Sequence, residues 1–197
     1  MTRLRTAVLI SGRGSNMMAL IEAAGAPGYP AEIACVISNR PDAGGLEFAK
    51  TRGIDALAID HRRFTGREAF EAALNAELRQ RRIDLIACAG FMRILSAGFV
   101  AGWKGRIINI HPSLLPDYKG LHTHERVLAD RGTRHGCTVH HVSAELDAGE
   151  IILQAEVPVL AGDTPDTLAA RVLVEEHRIY PLALAMVARA IQAKTST

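Results

Sequence analysis

The first hundred residues alternate short apolar runs with amphipathic stretches, and this alternation restricts the possible folds more than any other feature. The apolar runs are nearly continuous, as parallel strands require when helices cover both faces of a sheet. They predict strands over residues 6–10, 32–37, 55–59 and 84–89, with helices over 16–24, 45–52 and 67–81. The order predicts an α/β fold, namely a Rossmann-like, open, mostly parallel twisted sheet with helices on both faces.

The second half of the sequence changes this rhythm. Residues 106–110 predict a fifth strand, and a stretch rich in proline and glycine follows it. Residues 136–142 and 150–159 flank a turn-forming Asp147-Ala148-Gly149, which predicts an antiparallel strand portion. Residues 164–190 predict a long helix that bends near Pro181. Since no linker or repeat interrupts the chain, residues 1–197 are expected to form a single domain.

Composition restricts the location and partners of the chain. The net charge is only +2, so no global basic field favours nucleic acid as a partner. The three cysteines form no CxxC pair, which favours a reducing compartment over a disulfide framework. No signal peptide and no apolar stretch of about 20 residues are present. We therefore expect a cytoplasmic protein without a membrane or nucleic-acid partner.

A glycine loop, Ser11-Gly12-Arg13-Gly14-Ser15-Asn16, joins the first predicted strand to the first helix. Glycines let backbone N–H groups approach a phosphate, and the helix N-terminus adds partial positive charge. The alternative is an ordinary tight turn with Ser or Asn as the helix cap. A dinucleotide-binding loop needs a third glycine where Met17 stands, so the sequence favours a monophosphate cradle.

Polar residues follow the fifth predicted strand. Alternation places Asn109 and His111 on one side of the chain, where an amide and an imidazole suit a developing oxyanion. Asp147, on a predicted turn, would orient the imidazole and raise its pKa if the two were close. Taken alone, these residues are better explained as a polar strand end, with a histidine bonded to backbone, and as an ordinary turn aspartate.

Histidine is concentrated in the second half, where six of the eight histidines lie between residues 111 and 141. No HExxH pattern occurs, and His140 and His141 would face opposite sides of a strand. The expectation is therefore that no metal is bound. A serine hydrolase is also disfavoured, because the G-x-S-x-G motif is absent.

Taken together, the segments from about Ala7 to Leu182 resemble the folate-dependent glycinamide ribonucleotide formyltransferase family. Their order and spacing make the resemblance specific. The matching segments are LISGRGSN, SNRPDAGGLEFAK, AGFMRILS, INIHPSLLP, GLHTH, HGCTVHHV, ELDAGEIILQ and ARVLVEEHRIYPL.

The resemblance implies a catalytic trio, Asn109, His111 and Asp147, and the co-substrate 10-formyltetrahydrofolate. It implies lobes over 1–105, for phosphate and ribonucleotide, and 106–197, for catalysis and folate. The residues implied to bind the ribonucleotide are Gly14, Ser15, Asn16, Arg67, Met92, His122 and Glu176. Those implied to bind the folate are Arg93, Ile94, Leu95, Asn109, Val142, Ser143, Ala144, Glu145 and Asp147.

Departures from the family pattern and rival functions complete these expectations. The family often carries Asp at the position of Ala144 and polar residues at those of Leu173 and Val174. Similar proteins suggest a cis bond between Leu115 and Pro116. Methionyl-tRNA formyltransferase has the same kind of trio but carries an added C-terminal domain. Formyltetrahydrofolate hydrolase is also similar but carries an extra N-terminal domain. The alternatives kept are the hydrolase and a non-catalytic nucleotide-binding module, with a monomer or homodimer expected.

Overall fold

The computed structural model describes residues 2–195, and within that range seven strands form one sheet. The predicted strands are present, with ends that differ from the sequence prediction by one or two residues. The strands are β1 Leu4–Ile10, β2 Ala31–Ser38, β3 Asp55–Ala58, β4 Leu85–Cys88, β5 Ile107–His111, β6 Arg134–His141 and β7 Ile151–Pro158.

The strand order in the sheet is β3-β2-β1-β4-β5-β6-β7. Neighbouring pairs from β3 to β5 are parallel, whereas β6 runs antiparallel to β5 and β7 antiparallel to β6. This is the predicted fold class: an open, mostly parallel sheet with an antiparallel portion toward the carboxyl-terminal side.

Helices cover both faces of the sheet. The helices are α1 Ser15–Ala24, α2 Gly44–Thr51, α3 Arg67–Gln80, α4 Ala97–Gly102, α5 Thr123–Ala129 and α6 Pro165–Thr195. One apolar core lies beneath α1, α2, α5 and α6, and a second lies beneath α3 and α4. The short α4 and α5 had not been predicted, and a 3-10 turn lies at His61–Arg63.

The long helix α6 is anchored at its start and in its middle. The Thr164 hydroxyl accepts the Thr167 N–H at 3.3 Å, as an N-cap does. The helix continues through Pro181, and the fully buried Tyr180 donates its hydroxyl to the Cys88 carbonyl of β4 at 2.8 Å. Within residues 2–195, no helix has both the length and the apolar composition needed to cross a membrane.

From β1 the chain adds β2 and β3 on one side of the sheet, and from β4 it adds strands on the other side. The connections that leave the carboxyl ends of β1 and β4 therefore run in opposite directions. Open α/β sheets bind ligands in the crevice that this divergence opens at the carboxyl ends of the strands. The Ser11 N–H donates to the Gly90 carbonyl at 3.1 Å, so the loop after β1 lies beside the segment after β4. Both therefore border the crevice in which a site is expected.

Candidate active site at the carboxyl ends of the strands

The end of β5 carries two of the predicted catalytic residues. Asn109 is half-buried and lies opposite His140 of β6, while His111 is buried and lies opposite Thr138. Both Asn109 and His111 line one large cavity, as does Ile110 between them. The placement of Asn109 and His111 on one side of the strand therefore stays a prediction of the alternation.

Asp147 reaches this strand end from the loop between β6 and β7. Its backbone is left-handed, with φ of +48°, and its carboxylate Oδ2 lies 3.4 Å from His111 Nδ1. The same oxygen accepts the Gly120 N–H at 2.9 Å, which holds the carboxylate in place. The structure thus brings together the three residues that sequence spacing alone could not place near one another.

The His111 ring lies between two acceptors. Its Nε2 is 3.0 Å from the Tyr118 carbonyl oxygen, and its Nδ1 faces Asp147. A carbonyl and a carboxylate only accept hydrogen bonds, so the doubly protonated ring is the form that donates to both. The Nδ1 contact, at 3.4 Å, is longer than an ordinary N–H···O bond.

His140 belongs to the same cluster, although sequence reasoning did not select it as a site residue. Its Nδ1 donates to the His141 carbonyl at 2.9 Å, so its Nε2 accepts the Asn109 side-chain amide at 3.2 Å. Burial lowers the pKa of His140, against opposing contributions from the His141 carbonyl and Asp147, and favours this neutral form. His140 therefore orients the Asn109 amide. Only the β5–β6 register reveals this role.

A second pair of imidazoles packs behind His111. His135 Nε2 lies 3.1 Å from His124 Nδ1, and the His135 ring meets the Tyr118 ring edge-on at a centroid distance of 6.0 Å. Burial, together with the neighbouring imidazoles, lowers the pKa of His135 to about 4. The Tyr118 carbonyl accepts a hydrogen bond from His111. By packing against the Tyr118 ring, His135 therefore supports the backbone segment that orients His111.

The large cavity at the cluster measures about 880 Å³. Four large apolar side chains that are exposed to solvent line this cavity. They are Met92, Ile94, Leu121 and Leu146. A contiguous exposed apolar surface of this kind marks a ligand site. The residues predicted to bind folate all line the cavity, namely Arg93, Ile94, Leu95, Asn109, Val142, Ser143, Ala144, Glu145 and Asp147.

Two of the predicted ribonucleotide residues, Asn16 and Glu176, meet away from this cavity. The Asn16 side-chain amide donates to the buried Glu176 carboxylate at 2.7 Å, across 160 residues of sequence. Burial raises the pKa of Glu176, and the Asn16 hydrogen bond opposes that shift. The Asn16 side-chain oxygen is buried without a hydrogen-bond partner among the described residues.

The glycine loop begins α1 without a side-chain cap. Gly14 is the N-cap in left-handed conformation, with φ of +72°, and neither Ser15 nor Asn16 caps the helix. The first-turn N–H groups are therefore left without a side-chain cap, as an anion cradle requires. The alternative of a Ser- or Asn-capped turn does not describe this loop.

The remaining predicted ribonucleotide residues are spread more widely. Met92 and His122 are exposed and line the large cavity, with His122 in left-handed conformation before α5. Arg67 is the exposed first residue of α3 and does not line the cavity.

Leu173 and Val174 lie on α6, and Val174 is 66% exposed. The bond between Leu115 and Pro116 is cis. Within residues 2–195, no cluster of three or more His, Cys, Asp or Glu residues could hold a metal ion.

Comparison with known proteins identifies the family of the chain and agrees with its fold. The formyl transferase family model matches residues 4–184. The chain belongs to the formyl transferase family. Phosphoribosylglycinamide formyltransferase of Escherichia coli is 48% identical over 90% of this chain and 84% of its own length. The crystal structure of the Brucella melitensis enzyme of that name superposes with a TM-score of 0.91 at 53% identity, covering 95% and 96% of the two chains.

Longer relatives carry this formyl transferase as one part. The human trifunctional purine biosynthetic protein adenosine-3 is 48% identical over 94% of this chain. The chain spans only 18% of the length of that relative, and 14% of its Drosophila melanogaster counterpart. The similarity to the trifunctional proteins therefore concerns a single segment of each.

Proposed function

We propose that this formyl transferase moves the formyl group of 10-formyltetrahydrofolate to the amine of glycinamide ribonucleotide, a step of purine biosynthesis. The observation that carries the proposal is the cluster of Asn109, His111 and Asp147 on the wall of the apolar cavity. The names of the single-function relatives, phosphoribosylglycinamide formyltransferase, agree with this reaction.

The reaction begins when the neutral amine of the ribonucleotide attacks the formyl carbon. The attack converts the formyl oxygen into an oxyanion, which the side-chain amide of Asn109 and protonated His111 stabilise. His140 takes up one amide hydrogen of Asn109 and leaves the other to point at this oxygen. Donors that are fixed before the reaction need no reorganisation in the transition state, and each contributes roughly 100- to 1,000-fold in rate.

Asp147 supports both the donor and the proton transfer. Its carboxylate keeps His111 oriented through the Nδ1 contact, while the Gly120 N–H keeps the carboxylate itself in position. As the tetrahedral intermediate collapses, the bond between the formyl carbon and the folate nitrogen breaks, the amine loses a proton and the folate nitrogen gains one. We infer that Asp147 moves this proton through a water molecule as a general base and acid.

The large cavity binds the folate, and the glycine loop binds the ribonucleotide. The flat pterin ring fits the apolar cavity, where the predicted folate residues supply backbone groups and the loop 142–147 covers it. The ribonucleotide phosphate binds at the uncapped start of α1, and its ribose approaches Glu176. The predicted set for this substrate is Gly14, Ser15, Asn16, Arg67, Met92, His122 and Glu176.

Several broader expectations belong to the same proposal. The lobes 1–105 and 106–197 contribute mainly to the ribonucleotide and the folate, respectively, although Cys88 and residues 90–95 also line the large cavity. The enzyme acts in the cytoplasm as a monomer or homodimer, without nucleic acid, membrane or metal. The hydrolase and the binding module are less favoured, because the single-function relatives carry the name of the transferase.

The test is an absorbance assay of folate conversion with and without glycinamide ribonucleotide. We expect conversion that requires the ribonucleotide and that disappears in His111→Ala. Conversion without the ribonucleotide would instead identify the hydrolase. A folded protein that binds nucleotide but converts no folate would identify the binding module.

A further inference from the structure

A second cavity, of about 400 Å³, lies between α3 and α4. Arg106, which lines it, directly precedes β5, whereas His111 ends that strand, so the cavity lies at the opposite end of the sheet from the trio. None of its lining residues lines the large apolar cavity. We name it the α3–α4 cavity. Its volume is within the range of about 300–1,000 Å³ that is common for small-molecule sites.

Three arginine side chains line the α3–α4 cavity, and the described residues in its lining include no carboxylate. The arginines are Arg79, Arg82 and Arg106. Arg81, between the first two in sequence, forms ion pairs with Asp55 and Glu77, neither of which lines the cavity. By contrast, none of the three lining arginines pairs with a carboxylate within residues 2–195. Their like charges are uncompensated, so the cavity favours an anion.

The ordinary alternative is that these arginines only stabilise the end of α3, where basic residues interact favourably with the helix dipole. Side chains in that role often donate to the last helix carbonyls. Neither Arg79 nor Arg82 donates such a side-chain bond within the described part of the chain. The alternative also leaves Arg106 unexplained, because it lies outside α3 and lines the same cavity.

Arg106 forms a fixed, flat surface in the cavity. Its guanidinium lies over the Trp103 ring, 4.7 Å from the centroid, and donates to the Gly102 carbonyl at 3.1 Å. One face of the guanidinium therefore packs on the indole. The other face is available to a planar ring, since guanidinium groups stack on aromatic systems.

Asn75 orients Trp103 and adds a further donor. The indole N–H can only donate, so the side-chain oxygen of Asn75 accepts it, at 3.0 Å. The amide nitrogen of Asn75 then has no partner within residues 2–195. The polar side chains that line the cavity therefore offer donors, and their one acceptor oxygen is already bonded.

We propose that the α3–α4 cavity binds a nucleoside monophosphate. Arg79 and Arg82 hold the phosphate, because guanidinium donors match phosphate oxygens in pairs, and the base stacks on Arg106. A cation or a neutral sugar would find no free acceptor side chain in the lining. A polyphosphate fits less well, because the volume is near the lower limit for small-molecule sites.

This site is separate from the one proposed for the ribonucleotide substrate. Arg67, which is predicted to help hold the phosphate of that substrate, begins α3. Arg79 lies twelve residues further along the same helix, a distance of roughly 18 Å at the α-helical rise. The two sites can therefore be occupied at the same time.

The experiment uses Trp103, the single tryptophan of the chain, as its probe. Its fluorescence is titrated with AMP, GMP and UMP, with adenosine and with inorganic phosphate, in saturating glycinamide ribonucleotide, and calorimetry gives the dissociation constants. We expect a saturable change with at least one nucleotide. Adenosine and phosphate should bind more weakly, because each makes only part of the contacts.

Arg82→Gly is the variant that tests the site without risk to the fold. Arg82 follows α3 in left-handed conformation, with φ of +52°, which glycine adopts more readily than arginine. The variant should weaken nucleotide binding roughly tenfold, as for the loss of one hydrogen bond to a charged group. Its midpoint of unfolding in urea should be at least that of the wild type.

Arg131→Gly is the matched control. Arg131 is also exposed and also left-handed after a helix, with φ of +54°, but it lines neither cavity. Nucleotide binding should be unchanged in this variant. An equal loss in both variants would assign the effect to net charge and overturn the proposal.

Three further results would contradict the inference. The first is no saturable binding of any of the three nucleotides. The second is binding of adenosine or phosphate as tight as that of the nucleotide. The third is binding that occurs only without glycinamide ribonucleotide, which would assign it to the glycine loop. The measurement involves no turnover, so its outcome does not depend on the proposed reaction.

Discussion

Two buried polar groups of this formyl transferase differ in how completely their hydrogen bonds are formed. In the cluster around His111, the ring nitrogens face Tyr118 and Asp147, and the Asn109 side-chain amide donates a hydrogen bond to His140. In the pair formed by Asn16 and Glu176, one hydrogen bond at 2.7 Å leaves the Asn16 oxygen without a partner among the described residues.

The difference follows from how each group is built. The cluster depends on the β5–β6 register and on backbone carbonyl and N–H groups, so its side chains are held in place before any ligand arrives. The pair joins the first turn of α1 to the middle of α6, where the neighbouring backbone offers it no such partners. An unpaired buried acceptor costs about 1–3 kcal/mol, so a ligand that donates to it recovers that energy. The cluster is suited to chemistry and the pair to binding.

The largest effect on activity is expected from a substitution within the cluster around His111. Asp147→Asn removes the carboxylate that orients His111 but keeps the size of the side chain, so kcat should fall roughly 100- to 1,000-fold. The pH profile of kcat should change with it, because the general base is lost. Steady-state rates from pH 5.5 to 9 would measure both.

Glu150→Gln is the control for Asp147→Asn, since Glu150 is an exposed carboxylate on the same loop. It should retain the wild-type rate and pH profile. Full activity of Asp147→Asn with an unchanged profile would remove Asp147 from the mechanism.

The next effect concerns the imidazoles that support the cluster. Burial lowers the pKa of His135 from 6.5 to about 4, so the unfolded chain binds this proton more readily than the folded one. The stability due to neutral His135 is therefore complete above pH 6.5 and is lost as the pH falls toward 4. Between pH 7 and 5 this loss is about 2 kcal/mol.

His135→Leu tests this directly, because leucine has no proton to bind. Urea unfolding at pH 7 and pH 5 should show a smaller loss of stability in the variant than in the wild type, whatever its stability at pH 7. An equal loss in both proteins would mean that His135 is already protonated in the folded state.

A smaller effect is expected from His140, which orients the Asn109 amide but does not take part in the proposed reaction. His140→Leu removes the acceptor that orients the Asn109 amide, and a neutral hydrogen bond of about 1 kcal/mol corresponds to a kcat roughly fivefold lower. His140→Gln offers a side-chain oxygen to the same amide and should restore part of the rate. Equal kcat values for the two variants would show that the acceptor is not what matters.

Much of the fold could be predicted from sequence because its signals are local. Near-continuous apolar runs located the strands, and the strong periodicity of residues 67–81 located α3. The short α5 escaped prediction because His122, in left-handed conformation, precedes it and supplies no side-chain cap. Helix α4 is only six residues long, too short for its periodicity to be recognised.

The site was less predictable because it depends on distant contacts. Family resemblance implied the trio, but neither spacing nor composition places Asp147 beside His111. The role of His140 requires the pairing of Asn109 with His140 across β5 and β6, which a single sequence does not specify. The bond between Asn16 and Glu176 likewise spans 160 residues, so only the fold reveals it.

The smallest expected effect probes the incomplete pair. Glu176→Gln keeps an acceptor for the Asn16 amide but removes the charge that, in the proposed function, faces the ribonucleotide. We expect the KM for glycinamide ribonucleotide to rise roughly three- to fivefold, as for the loss of one modest hydrogen bond, with kcat nearly unchanged. Glu175→Gln is the matched control, because Glu175 pairs instead with Arg178 on the surface of the same helix.

The same substitution should make the protein more stable, which a purely structural role for Glu176 would not allow. Burial raises the pKa of Glu176, so ionising it costs more in the folded chain than in the unfolded one. Its contribution to stability therefore falls as the pH rises above its ordinary pKa of 4.5. Urea unfolding at pH 7 should show a higher midpoint for Glu176→Gln than for the wild type. A lower midpoint, with the KM unchanged, would make the pair part of the scaffold and end its contrast with the cluster.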